Sequence, residues 1–151
     1  MKLCIFGSRI IYPTIQDIAE AYASAYLNKK FPNFTEVTAI VSGMAKGADT
    51  AAIAFARNQQ KPVIQMPANW KEFGRSAGFM RNGQMADTAD LFIGFWDGES
   101  RGTAQMMRCI AVQKKPMHLV VRRTYKQSPL PELTTDSVDP DFYDKLGNQD
   151  S

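Results

Sequence analysis

The run Asp90–Lys114 reads DLFIGFWDGESRGTAQMMRCIAVQK. It opens as a near-continuous apolar segment, Asp90–Trp96, and stops abruptly at Asp97-Gly98. A short turn follows with Ser100, Arg101, Gly102 and Thr103. From Thr103 to Lys114 the pattern changes to helical spacing, with Met106, Met107, Ile110 and Ala111 on one stripe. Strand, tight turn and helix in immediate succession form half of a β-α-β unit, and the strand's lack of polar alternation predicts burial on both faces.

The same unit recurs upstream, and one further strand follows downstream. Lys2–Phe6 reads as a strand running into Gly7-Ser8-Arg9. Thr14 is placed to cap a helix, with Asp17 near its positive end and Ile15, Ile18, Ala19, Tyr22 and Tyr26 at helical spacing up to about Lys29. Val37–Val41 reads as a second strand, followed by Ser42-Gly43-Met44-Ala45-Lys46-Gly47-Ala48-Asp49 and an alanine-rich helix over Thr50–Arg57. Pro62–Met66 is a short third strand, Pro67–Phe73 a loop carrying Trp70, and Arg75–Ala89 a helix weakened by Gly78 and Gly83. Met117–Val121 is the strand after Lys114. The alternation predicts an α/β fold: a Rossmann-like, doubly wound, mainly parallel sheet of at least five strands with helices on both faces.

The chain has 151 residues, which suits one domain. Residues 1–122 carry 15 Lys+Arg and 9 Asp+Glu, hence +6, whereas residues 123–151 carry 3 and 6, hence −3. We therefore read 1–122 as the folded body and 123–151 as an acidic arm or tail rich in Pro, Ser and Asp. A modestly basic body suits a phosphate-bearing ligand and does not demand nucleic acid. No apolar run reaches the roughly 20 residues of a membrane span. The short N-terminal apolar run lacks the pattern of a secretory signal, so a cytoplasmic location is expected. Cys4 and Cys109 lie in apolar runs and read as buried thiols; the single histidine, His118, reads as a packed or edge residue. No metal-binding cluster and no cofactor motif is visible.

In doubly wound sheets ligands bind beyond the carboxyl ends of the strands, where the strand order switches. Four loops leave those ends: Gly7-Ser8-Arg9, Gly43–Asp49, Pro67–Arg75 and Asp97–Thr103, each with a glycine and a cation. Glycine allows close backbone approach to a phosphate, and a helix N-terminus adds free N–H groups and partial positive charge. Gly43–Gly47 is neither a Walker sequence nor Gly-x-Gly-x-x-Gly. Arg9, Lys46, Arg81 and Arg101 are the candidate anion partners, Arg81 foremost with Asn82 beside it. Arg81 is expected to contribute to binding and little to stability. Asp49 suits a ribose hydroxyl or simply the first turn of a helix. Trp70 is placed to stack on a base, and Trp96 either stacks or packs in the core. Asp97-Gly98 has turn chemistry of its own.

These motifs carry a resemblance. GSR after the first strand, SGMAKGAD after the second, AGFMRNGQM on the middle helix and FWDGESRGT after the fourth resemble the SLOG superfamily, over residues 1–122. They are most similar to its small single-domain branch of uncertain function. The superfamily also holds the lonely-guy phosphoribohydrolases and the Smf-type DNA-processing proteins. The resemblance implies a Rossmann-like sheet that binds nucleotides or molecules derived from them, and a homodimer or larger homo-oligomer. The phosphoribohydrolases carry Gly-Thr-x-x-Glu at the phosphate turn; here Gly102-Thr103-Ala104-Gln105-Met106 places Met106 where that glutamate stands. A thioether can neither accept a proton nor stabilise an oxocarbenium ion as a carboxylate does.

The resulting expectation is a protein that binds a nucleotide or an ADP-ribose-like ligand, as a sensor or sequestering protein, without turning it over. Its ligand set is Gly7, Ser8, Arg9, Gly43, Lys46, Gly47, Asp49, Trp70, Arg81, Asn82, Asp97, Gly98, Arg101, Gly102 and Thr103. No catalytic residue is assigned. The alternative is an N-glycosidic hydrolase using Asp97 or Glu99; the third reading, single-stranded nucleic-acid binding, has thin basic and aromatic patterning behind it.

Overall fold

The computed structural model describes residues 1–43 and 46–123. The strands are β1 (Lys2–Gly7), β2 (Ala39–Ser42), β3 (Val63–Gln65), β4 (Leu91–Trp96) and β5 (Met117–Val121). They form a single parallel sheet in the order β3-β2-β1-β4-β5. The helices are α1 (Ile15–Leu27), α2 (Ala48–Asn58), α3 (Trp70–Phe73), α4 (Ala77–Thr88) and α5 (Arg101–Val112). Among the described residues no helix is long and apolar enough to cross a membrane.

The strict alternation of a strand's side chains builds two cores. Leu3 and Ile5 of β1, Ile40 of β2, and Leu91, Ile93 and Phe95 of β4 pack with Ile18, Tyr22 and Ala25 of α1 and Ala52, Phe55 and Ala56 of α2. The intervening residues Cys4, Phe6, Val41 and Phe92 pack with Met85 and Ala86 of α4 and Met106 and Ile110 of α5. Both faces of the sheet are therefore covered, as the unbroken apolar strands require. Gly94 breaks the run in β4 for a steric reason. It pairs with Phe6 across the sheet, and a Cβ there would stand 2.5 Å from the tip of the Phe6 ring.

Local chemistry sets the helix ends. Thr14 and Asp17 form a reciprocal capping box at α1, with N–H to oxygen distances of 3.0 and 2.8 Å. At α5 the cap is Ser100, whose hydroxyl accepts from the Thr103 N–H, so the helix starts two residues before the expected Thr103. The segment expected as a loop, Pro67–Phe73, contains the single turn α3. Asn69 caps it by accepting from the Glu72 N–H at 3.1 Å, and this Asn-x-x-Glu spacing is a start signal the sequence reading passed over. Tyr26, placed by spacing on the apolar face of α1, is 45% exposed. Cys4 is buried and Cys109 only half-buried. The proposed arm over residues 123–151 lies, beyond Arg123, outside the described residues.

The strand order places the topological switch between β1 and β4. From β1 the chain moves towards β2 and β3; from β4 it moves to β5. The carboxyl ends of β1 and β4 thus face a crevice that no crossover helix fills.

Candidate functional site

A cavity of about 270 Å³ opens at that crevice. Its walls come from the end of β1 (Phe6, Gly7), from Arg9, from Asp49 on α2, from Trp70 on α3, from Arg75, from one side of α4 (Gly78, Arg81, Asn82 and Met85 among it) and from the start of α5 (Gly102, Thr103, Met106). Four segments far apart in sequence meet here because each leaves the same edge of the sheet. A second hollow of about 320 Å³, between α1 and α2, is lined by Tyr22, Tyr26, Phe34 and Phe55 with alanines, Asn33 and Gln59. Although it is the larger, its lining is mainly aromatic and alanine with Lys61 over the Phe34 ring, so the crevice, with several cations and a helix start, is the site that the chemistry favours.

At the crevice the first turn of α5 is prepared by three hydrogen-bonded layers. The Asp97 carboxylate accepts from the N–H groups of Glu99 and Ser100 at 2.9 and 2.8 Å. Burial pushes the Asp97 carboxyl up, but donation from those two N–H groups and from the Ser8 hydroxyl outweighs it and holds the group below its ordinary value. Ser100 then caps the helix. Ser8, fully buried, accepts from the Asp97 N–H at 3.2 Å, and its hydroxyl lies 3.4 Å from that of Thr103. Gly98, with φ of 90°, supplies the left-handed turn between them.

The N–H groups of Arg101 and Gly102 make no hydrogen bond to a described residue, as expected for the first turn of a helix. Gly102 has ordinary helical backbone, and a Cβ on it would meet nothing within 4 Å beyond the helix's own turns. It is a glycine that the fold does not require. Gly7 and Gly47 differ. A Cβ on Gly7 would lie 2.4 Å from the Phe95 carbonyl, and Gly47, at φ of 79°, packs against the carbonyls of Ser8, Arg9 and Ile11. Those two glycines are explained by close packing alone.

Arg81 is held on several sides. Its Nη1 donates to the Gly43 carbonyl at 2.6 Å and lies 3.9 Å from the Asp49 carboxylate. Its Nε donates to the Asn82 side-chain carbonyl at 3.2 Å. Asn82 in turn donates from Nδ2 to the Gly102 carbonyl at 3.1 Å and to Gln105 at 2.8 Å. This chain of contacts ties the loop after β2, through α4, to the start of α5. It also explains Gly43, where a Cβ would fall 2.5 Å from Arg81 Nη1 and 2.8 Å from Asp49 Oδ2. These contacts argue against the expectation that Arg81 contributes little to stability. It is a part-buried strut as well as a wall of the cavity.

The residues singled out from sequence divide accordingly. Gly7, Arg9, Asp49, Trp70, Arg81, Asn82, Gly102 and Thr103 share the cavity. Ser8, Gly43, Gly47, Asp97 and Gly98 stand behind it and shape its loops, while Lys46 and Arg101 are exposed away from its lining. Asp49 is buried beside Arg81 while still lining the cavity. Trp96 donates its indole N–H to the Ser100 carbonyl at 3.1 Å, a packing role. Arg75, Phe79 and Met85 line the cavity without having been singled out. Arg75 closes the third glycine-and-cation loop, and Phe79 and Met85 lie on the motif AGFMRNGQM, so the signals were present. Neither Asp97 nor Glu99 lines the cavity. Among the described residues no group of His, Cys, Asp and Glu could hold a metal ion. Comparison with family models, with curated proteins and with solved structures finds no match for this chain.

Proposed function

We propose that this protein binds a nucleotide or a nucleotide-derived, ADP-ribose-like ligand at the β1/β4 crevice and releases it unchanged, in keeping with the SLOG resemblance. The ligand's phosphate sits against the N-terminus of α5. The observation that carries this reading is Gly102: a glycine with helical backbone, open space where its Cβ would be, and an unpartnered N–H beside that of Arg101. In mid-helix a glycine costs about 0.5–1 kcal/mol relative to alanine; at the second position of α5 the cost is smaller, and close approach of an anion to the backbone is the gain that offsets it. Arg81 keeps Nη2 without a partner among the described residues, so one donor remains for the same anion.

Binding without turnover rests on the surroundings of that phosphate. Met106, buried at the cavity wall, supplies no carboxylate. The Asp97 carboxylate is already committed to two backbone N–H groups.

Calorimetry with AMP and ADP-ribose on wild-type, Gly102→Ala and Gly102→Asp proteins tests the reading. The expected result is binding to the wild type, with Gly102→Asp weaker by at least about 1.5–3 kcal/mol, the worth of a hydrogen bond to a charged group. Gly102→Ala is expected to melt slightly higher than wild type and yet bind more weakly. Unchanged affinity in both folded variants would place the phosphate elsewhere. Release of free base from AMP at about 1 per second or faster would make the protein an enzyme.

A further inference from the structure

Trp70 and Phe79 are each 51% exposed, and both line the crevice cavity. Large aromatic side chains are ordinarily placed to bury their faces. These two instead line a cavity with both polar and apolar walls, with Arg75 between them in sequence. The Trp70 indole is positioned by α4: a Cβ at Gly78 would stand 3.3 Å from its Cη2 and 3.9 Å from its Cζ2. Gly78, a residue unfavourable within a helix, thus lets the outer edge of the indole rest against the α4 backbone. From Gly78 to Asn82, whose amide touches Gly102, is four residues, or about 6 Å along a helix rising 1.5 Å per residue. Gly78 and Asn82, which carry the contacts to Trp70 and to Gly102, are therefore about one helical turn apart on α4.

Of the cavity's side chains, the amide, carboxylate and hydroxyl groups are already committed, and Arg9 and Arg75 are the cations left beside them. Asn82 uses its amide on Gly102, Gln105 and Arg81. Asp49 faces Arg81, and Thr103 shares its hydroxyl with Ser8 and Ser100. Gly78 lies against Trp70, and Phe79 and Arg75 line the same cavity, adding a planar face and a cation.

Building on the phosphate reading above, we infer that Trp70, seated on Gly78, is a base platform. It recognises that the ligand carries a nucleobase without selecting which one. Every base has a π-face, so stacking tolerates sequence where hydrogen bonding would not.

The test is calorimetry with AMP, GMP, CMP, UMP and ribose 5-phosphate on wild-type, Trp70→Leu, Trp70→Phe, Gly78→Ala and Gly102→Asp proteins, with light scattering on each. In the wild type all four nucleotides should bind within about tenfold of one another, and ribose 5-phosphate more weakly, by about fivefold to a hundredfold, the range that loss of one stacked base gives. Trp70→Leu should weaken AMP by that factor and leave ribose 5-phosphate unchanged. Trp70→Phe should keep most of the affinity, and Gly78→Ala should weaken AMP while the protein stays folded. Gly102→Asp should weaken both probes.

AMP affinity unchanged in Trp70→Leu, or ribose 5-phosphate as tight as AMP in the wild type, overturns the platform and leaves the phosphate site standing. One base preferred over all others by more than about a hundredfold overturns the tolerance. A wild type that binds neither probe at millimolar concentration overturns both readings. A change of mass in solution for Trp70→Leu, with AMP affinity kept, assigns the aromatic patch to a second copy of the chain and overturns the platform.

Discussion

Replacing Arg81 by methionine keeps the length of the side chain and removes its charge and donors. Three contacts are lost at once: the 2.6 Å bond to the Gly43 carbonyl, the 3.2 Å bond to Asn82 and the 3.9 Å approach to Asp49. The Asp49 side chain is 5% exposed and that of Arg81 12%, so solvent replaces little of what is removed. A hydrogen bond from a charged donor is worth about 1.5–3 kcal/mol, and breaking a well-formed buried ion pair costs about 3–5 kcal/mol. The pair here is at the long end of ionic contact, so its share is smaller, and a total of about 2–4 kcal/mol is expected. For an ordered body of this size about 4 °C of melting temperature accompanies each kcal/mol, which gives a fall of about 8–16 °C. Scanning calorimetry on the wild type, Arg81→Met, Asp49→Asn and the double variant supplies a cycle, and a coupling of about 0.5–3 kcal/mol is expected for groups in contact. An Arg81→Met protein melting within about 2 °C of wild type, or strictly additive single effects, would refute the strut. Any loss of nucleotide binding in an Arg81 variant must therefore be read against its lost stability, and Gly102, where an added Cβ would meet no neighbour, is the cleaner probe.

Gly94→Ala should destabilise the protein by about 1–3 kcal/mol, the usual cost of overpacking, because the new methyl would lie 2.5 Å from the Phe6 ring; denaturant unfolding with an unchanged midpoint would contradict this. Asp97 has its folded pKa lowered, so its contribution is present above the unfolded value of about 3.9 and is lost as pH falls through the lower folded value; Asp97→Asn should flatten this acid limb in urea titrations across that range. His118 is pushed below its ordinary 6.5 by burial and by Lys30. The fold favours its neutral form, so stability is full above that value and declines as pH falls through it towards the folded one; His118→Gln should remove this dependence, and an identical pH profile for the two proteins would refute the assignment.

The sequence alone determined the architecture. Unbroken apolar runs at Lys2–Phe6 and Asp90–Trp96, each ending in glycine-bearing turns before helical spacing, admit few arrangements other than a parallel sheet with both faces covered. Burial pattern and period are local properties, and neighbouring residues carry them. The same holds for the Thr14–Asp17 cap and for the gathering of glycine and cation at one edge, since every strand of a parallel sheet ends on that edge.

The roles of individual residues at the edge were another matter. Gly7, Gly43, Gly47 and Gly102 look alike in sequence. Only the packed structure separates three glycines that are hemmed in by the Phe95 carbonyl, by Arg81 and by the Ser8–Ile11 turn from the one that faces open space. Arg81 likewise reads as a free cation until α4 is set beside α2 and the loop after β2, where Asp49 and the Gly43 carbonyl claim its donors. Whether a charge serves the fold or a ligand depends on which partners lie within about 4 Å, and those partners are 32 and 38 residues distant along the chain. Such contacts are fixed by the strand order β3-β2-β1-β4-β5, which no local pattern of residues encodes.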